Sequence, residues 1–166
     1  LEGSIIAVTE ETSTSCLLLR LILEQRYHVR PASYTKWSGV SANILNQDSD
    51  AVLLIGDEAL RERASNGWYP YEIDLAFEWW LWQHTPFVFA LWVIRQDAAP
   101  KVKQLLMRSV ACAFAANSAR LPQLAKARSD SVGMSAEQLT AYLKQFEYHI
   151  GEAEERGIER FSLLAN

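Results

Sequence analysis

Two short stretches bring hydroxyl, glycine and acidic residues to places where α/β folds carry out chemistry. The first is Thr12-Ser-Thr-Ser15, set between the apolar run Ser4–Val8 and the apolar pattern that begins at Cys16. A helix opening there would present free backbone N–H groups and the positive end of its dipole, with hydroxyls as extra donors. Such a helix mouth can hold a carboxylate or phosphate without a cation. The dipole contributes only about 0.3–1 kcal/mol when exposed and about 2 kcal/mol when partly buried, so several donors must act together. Ser13, Thr14 and Ser15 are therefore the candidate carboxylate-binding residues. Plain N-capping accounts for the same residue types, and the adjacent Glu10 and Glu11 would repel an anion. The second stretch is Ile55-Gly-Asp57, at the end of the apolar run Asp50–Ile55. Open α/β sheets bind ligands beyond the carboxyl ends of their strands, and glycine permits close approach to backbone there. Gly56 and Asp57 are candidate cleft-lining residues, although Asp57 would serve equally as a helix cap.

Other chemistries find little support. His28, His84 and His149 stand beside no carboxylate or cysteine at a recognisable spacing, and His84 extends an apolar helical pattern. There is no Ser-His-Asp order, Gly-rich phosphate loop or HExxH, so no general base is assigned. Cys16 and Cys112 lie far apart in apolar patterns, where a disulfide between them is one reading and reduced, buried thiols the more economical one, with no metal-ligand spacing. No metal or cofactor is expected. The net charge of −4 argues against nucleic acid and anionic membrane as partners. No run of 18 uncharged apolar residues is present, so no transmembrane helix is expected, nor does the opening look like a signal peptide.

The elements that must position these residues follow from periodicity. Ser4–Val8 and Asp50–Ile55 read as buried strands, with a strand-like segment near Val29–Tyr34. Ser13 is the expected N-cap of a helix reaching about Arg26, apolar almost all round and so packed on more than one neighbour. Gly56-Asp57 opens a short helix to about Ala64. Ile73–His84 is the densest apolar helix. Ile73, Ala76, Phe77, Trp80 and Leu81 form a broad face, and Leu75, Trp79 and Trp82 a narrower opposite one, so cover on both sides is expected. Pro86 ends it, and Phe87–Ile94 is uncharged, aromatic and β-branched, as in a central strand buried on both faces. Asp97 is the expected cap of a helix to about Ala116. Helices over 121–128, 136–146 and 152–164 follow, the second opened by a capping box of Ser135 and Gln138. Gly157 is a weak point in the last helix, and Tyr148–Ile150 a brief strand. Strands alternating with helices predict an α/β fold with a largely parallel sheet.

Four segments in order resemble chorismate dehydratases of the futalosine route to menaquinone. Ile6–Ser15 continued by Leu17–Arg20 is similar to that family's first strand and helix start, and Asp50–Leu60 to its DAxLLIGDxAL. Asp74-Leu75, Trp79, Pro86–Ala90 and Trp92 match its tryptophan and PFVFAxW features, and Tyr142-Leu with Gly157–Phe161 its closing helices. The departures are Ala76-Phe77 for Gly-Glu, His84-Thr85 for Gly-Leu, and Thr12 for serine.

The resemblance implies a two-lobed fold like type II periplasmic solute-binding proteins, working in the cytoplasm. Residues 1–87 would be the second, middle lobe, and 88–166 a crossover strand with the helical, returning part of the first lobe. The family's opening stretch has no counterpart here, so the cleft would be incomplete, with self-association or a further segment covering the open face. The implied reaction removes water from chorismate to give 3-[(1-carboxyvinyl)oxy]benzoate, so the expected ligand is a small, chorismate-like carboxylate. Ser13, Thr14 and Ser15 would hold a carboxylate, with Gly56 and Asp57 lining the same cleft. A non-catalytic carboxylate-binding protein, or the sibling futalosine-pathway lyase, would share the fold.

Overall fold

Parallel pairing puts β1 (Ile5–Thr9) between β2 (Ser33–Trp37) and β3 (Ala51–Leu53). Ile6 lies opposite both Tyr34 and Ala51, and Val8 opposite Leu53. The computed structural model describes residues 1–9, 13–37, 49–64 and 70–166. These form two units, residues 1–89 with 149–166, and residues 90–148. The α/β class and the parallel sheet agree with the sequence reading.

In the first unit, a parallel pair needs a crossover, and α1 (Ser13–Leu21) supplies it between β1 and β2. Its last turn widens into a π-helical segment, Ile22–Arg26, where the Tyr27 N–H donates to the Ile22 carbonyl at 3.1 Å. The apolar circumference predicted for this helix is used on two sides. Leu19 and Leu23 pack on Ile6, Val8 and Leu53 of the sheet, while Leu18 and Ile22 pack on Trp79. The helix α2 spans Gly56–Ala64 and α3 spans Leu75–Gln83. Asp74 caps α3, its carboxylate accepting from the Ala76 and Phe77 N–H groups at 2.9 and 3.1 Å.

The cover expected on both sides of α3 is found on one side only. The narrow stripe of Leu75, Trp79 and Trp82 turns inward, and Trp79 is completely buried. Ile73, just before the helix, and Phe77, Trp80 and Leu81 on its broad face remain 45–58% exposed. Three edge-to-face contacts hold the Trp79 ring, to Trp82, Phe87 and Phe161, with centroids 5.4–6.0 Å apart. Its Nε1–H donates to Thr85 Oγ1 at 3.2 Å.

Phe161 belongs to the last helix of the chain, which runs Glu152–Ala165 and crosses Pro86 at Gly157. A Cβ at position 157 would collide with the Pro86 carbonyl oxygen. What reads in sequence as a weak point is thus a point of closest approach.

The second unit is helical: α4 (Pro100–Ala119), α5 (Leu121–Val132) and α6 (Ala136–Leu143), which makes Glu152–Ala165 α7. Ala125, Ser129, Val132 and Leu139 are buried along α5 and α6. Gly133 ends α5 with φ of 67°, in the left-handed region that favours glycine. The predicted capping box is present: Ser135 Oγ accepts from Gln138 N–H at 3.2 Å and Gln138 Oε1 from Ser135 N–H at 2.9 Å.

Several sequence expectations are corrected. Asp97 does not cap α4, because it pairs with Arg95 at 2.6 Å, and the helix starts at Pro100. Cys112 is exposed rather than buried, and both thiols are free. Tyr148–Ile150 forms no strand. Phe87–Ile94 pairs with no strand among the described residues, and Trp92 and Val93 are 79% and 80% exposed.

Candidate functional site

The strand order β2-β1-β3 places β1 between the other two strands, and the chain leaves its carboxyl end through α1 towards β2. Open α/β sheets bind ligands beyond the carboxyl ends of their parallel strands. Both sequence-predicted groups follow such strand ends. After β1 the chain enters α1 at Ser13, and after β3 it enters α2 at Gly56. Because Val8 and Leu53 are register partners in parallel strands, both helix starts lie at the same sheet edge.

Ser13, Thr14 and Ser15 occupy the first turn of α1 rather than its cap, so their own backbone N–H groups are among the four that a helix start leaves without intrahelical partners. The preceding Glu10, Glu11 and Thr12 lie outside the described residues. Ser13 is exposed, and Thr14 and Ser15 are half-buried. Gly56 is itself the first residue of α2, with φ of +58° and no heavy atom within 4 Å of where a Cβ would stand. Backbone conformation, not crowding, selects glycine at this position.

The two helix mouths differ in charge. The first turn of α1 carries no acidic residue, whereas that of α2 carries Asp57 and Glu58. An anion is therefore favoured at α1 and disfavoured at α2, where carboxylates already face the dipole. Asp57 is half-buried and suited to accepting from a ligand hydroxyl.

Two polar clusters escaped the sequence reading. Arg26 and Glu78 are paired at 2.7 Å with side chains only 18% and 17% exposed, and Arg26 also donates to the Glu78 carbonyl. The Tyr27 hydroxyl donates to the same Glu78 carboxylate at 2.5 Å. That bond, followed by burial and the carboxylate charge, holds the Tyr27 phenol protonated above its ordinary range. This cluster fastens the π-helical turn to α3. No local spacing links residues 26 and 78, so only the fold could reveal it. In the second cluster, Arg20 lies 4.5 Å from the Tyr34 ring centre. The Tyr34 hydroxyl is buried without a hydrogen-bond partner among the described residues, and burial, then Glu24, raises its pKa.

His28 and His84 are exposed and hold left-handed backbone positions, φ 56° and 55°, His84 as the C-cap of α3. Neither role is that of a base.

A family model described as menaquinone biosynthesis matches residues 1–166. The chain belongs to the menaquinone biosynthesis family. Among curated proteins, this menaquinone-biosynthesis chain is similar to a chorismate dehydratase of Thermus thermophilus, at 29% identity over 176 residues. The match covers 95% of the chain and 61% of that relative, so the chain spans about three-fifths of the relative's length. No helix among the described residues of this family member is long and apolar enough to cross a membrane.

Proposed function

We propose that the protein carrying these residues is a chorismate dehydratase-like hydro-lyase of menaquinone biosynthesis, acting in the cytoplasm. The similarity over 95% of the chain to a relative named chorismate dehydratase carries this reading. In it, Ser13, Thr14 and Ser15 hold a substrate carboxylate at the mouth of α1, and Gly56 and Asp57 line the same crevice. The geometry supports the assignment because the acid-free helix start and the glycine-opened one share a sheet edge.

The reaction needs a proton to leave carbon and a hydroxyl to leave its neighbour, the two departing together as water. Aromatisation of the ring drives it, so orienting the substrate and excluding bulk water contribute as much as a strong base. The substrate carries two carboxylates, and a helix mouth that fixes one of them orients the ring against the rest of the cleft. The lobes are those of a type II periplasmic-binding-protein-like fold. Residues 1–87 form the middle lobe and α4 to α6 belong to the other, while α7 packs on Trp79 and Pro86 of the middle lobe.

The test is chorismate turnover and binding by the protein expressed from its full reading frame. Thr14→Val and Ser15→Ala should each raise the Kd for chorismate by about tenfold, the loss of one hydrogen bond to a charged group. Unchanged affinity in both variants removes the helix mouth from the site. Absence of turnover by the full-length protein removes the dehydratase reading.

A further inference from the structure

We infer that the outward face of α3 docks on the same face of a second copy of this chain, the two helices running antiparallel. Ile73, Phe77, Trp80 and Leu81 fall at i, i+4, i+7 and i+8, on one face, and are 51%, 58%, 49% and 45% exposed. No charged residue lies among them. Glu78, on the flank, is already held by Arg26 and Tyr27. The titratable groups of this face stand at its two ends instead, Asp74 as N-cap and His84 as C-cap, both exposed. Both capping bonds to Asp74 use Oδ1, which leaves Oδ2 to accept from outside the helix.

A twofold axis beside the middle of α3 makes this face complementary to itself. Ile73 of one copy then lies near the partner's His84, Phe77 against the partner's Trp80, and Leu81 over the partner's Ala76. The aromatic pair is made twice, and the bulky Leu81 meets a small residue. Each Asp74 carboxylate comes to the end of the partner helix that carries His84, and the two helix dipoles run opposed. A parallel arrangement would set Asp74 against Asp74. At about 200 Å² for a whole aromatic side chain, Phe77 and Trp80 together leave about 200 Å² open per copy. With Ile73, Leu81 and the polar ends, two copies bury on the order of 800–1,000 Å² in all, the size of a weak, reversible contact. The expected Kd is on the order of 100 µM. None of this depends on the dehydratase reading.

Sedimentation equilibrium of the 166-residue chain between about 5 and about 500 µM should show monomer passing to dimer. Phe77→Glu should raise the Kd at least about tenfold. Asp74→Asn keeps a good helix cap and should raise the Kd about two- to threefold at low salt. Because Phe77 is more than half exposed, Phe77→Glu should leave the melting temperature within about 2 °C of the parent at about 5 µM, where the copies stand apart. In a mixture of isotope-labelled and unlabelled copies, filtered NOEs should join the Ile73 methyl groups of one copy to the His84 ring of the other. A chain that stays monomeric up to about 500 µM overturns the inference, as does association that Phe77→Glu leaves unchanged. Filtered NOEs from Ile73 to the partner's Ile73 overturn the antiparallel arrangement.

Discussion

At Gly157, helix propensity and packing pull in opposite directions, and the size of each decides the outcome. Alanine is about 1 kcal/mol better than glycine inside a helix. Here its Cβ would strike the Pro86 carbonyl oxygen, backbone against backbone, with no flexible side chain to yield. Overpacking of that kind costs about 1–3 kcal/mol, so Gly157→Ala should be net destabilising, measured by urea unfolding. Glu78 answers a different question. Its carboxylate serves Arg26 and Tyr27 together, so Glu78→Ala should cost about 1–3 kcal/mol, again by urea unfolding. It should also return the Tyr27 phenol towards its ordinary pKa, followed by NMR of ring-labelled tyrosine. The sign of the pH dependence follows from the raised phenol. Its contribution is complete below the unfolded tyrosine value near 10 and is lost as pH rises through the higher folded value. The alkaline loss of stability should therefore be smaller in Glu78→Ala than in the parent.

Helix α3 shows how far periodicity carries and where it stops. Both apolar stripes were legible from spacing, as were the Pro86 stop and the core role of Trp79. Which stripe faces inward was not. The narrow stripe is inside because the groove between α1 and α7 takes Trp79 edge-on against Trp82, Phe87 and Phe161. Trp79→Ala should consequently cost about 3–5 kcal/mol, the usual penalty for emptying a buried aromatic position. Trp80→Ala, one residue along and 49% exposed, should change the stability of the 166-residue chain by about 1 kcal/mol or less. Paired denaturant melts give both values. Equal losses would mean that the outward face is covered. Helix ends divided similarly. The box of Ser135 and Gln138 is local chemistry and was predictable, whereas Asp97 was drawn away from the start of α4 by Arg95.

For the molecule as a whole, catalysis by positioning requires substrate to be held from more than one side. A displacement of about 1 Å already costs on the order of a hundredfold. The 166-residue chain spans 61% of its dehydratase relative. On the proposed function, its turnover of chorismate should be at least about a hundredfold below that of a version extended upstream to the relative's length, measured by product formation under saturating substrate. Comparable rates would place the whole cleft within these residues.

Sequence alone determined the α/β class, the parallel strands at Ile5–Thr9 and Ala51–Leu53, most helix spans, and the two polar groups that follow the strands. Each depends on neighbours within a few residues: alternation, 3.6-residue spacing, a proline stop, a cap. Tertiary structure decided what depends on partners far along the chain. The strand order brought Ser13–Ser15 and Gly56–Asp57 to one edge, because β1 pairs on both sides. Gly157 became a contact point only when α7 crossed Pro86, and Glu78 became a hub only when α3 met the π-helical turn. Val88–Ile94 marks the boundary between the two kinds of information. Its residues specify a buried strand, but a strand forms only where another backbone accepts its hydrogen bonds, and no described residue of this chain does.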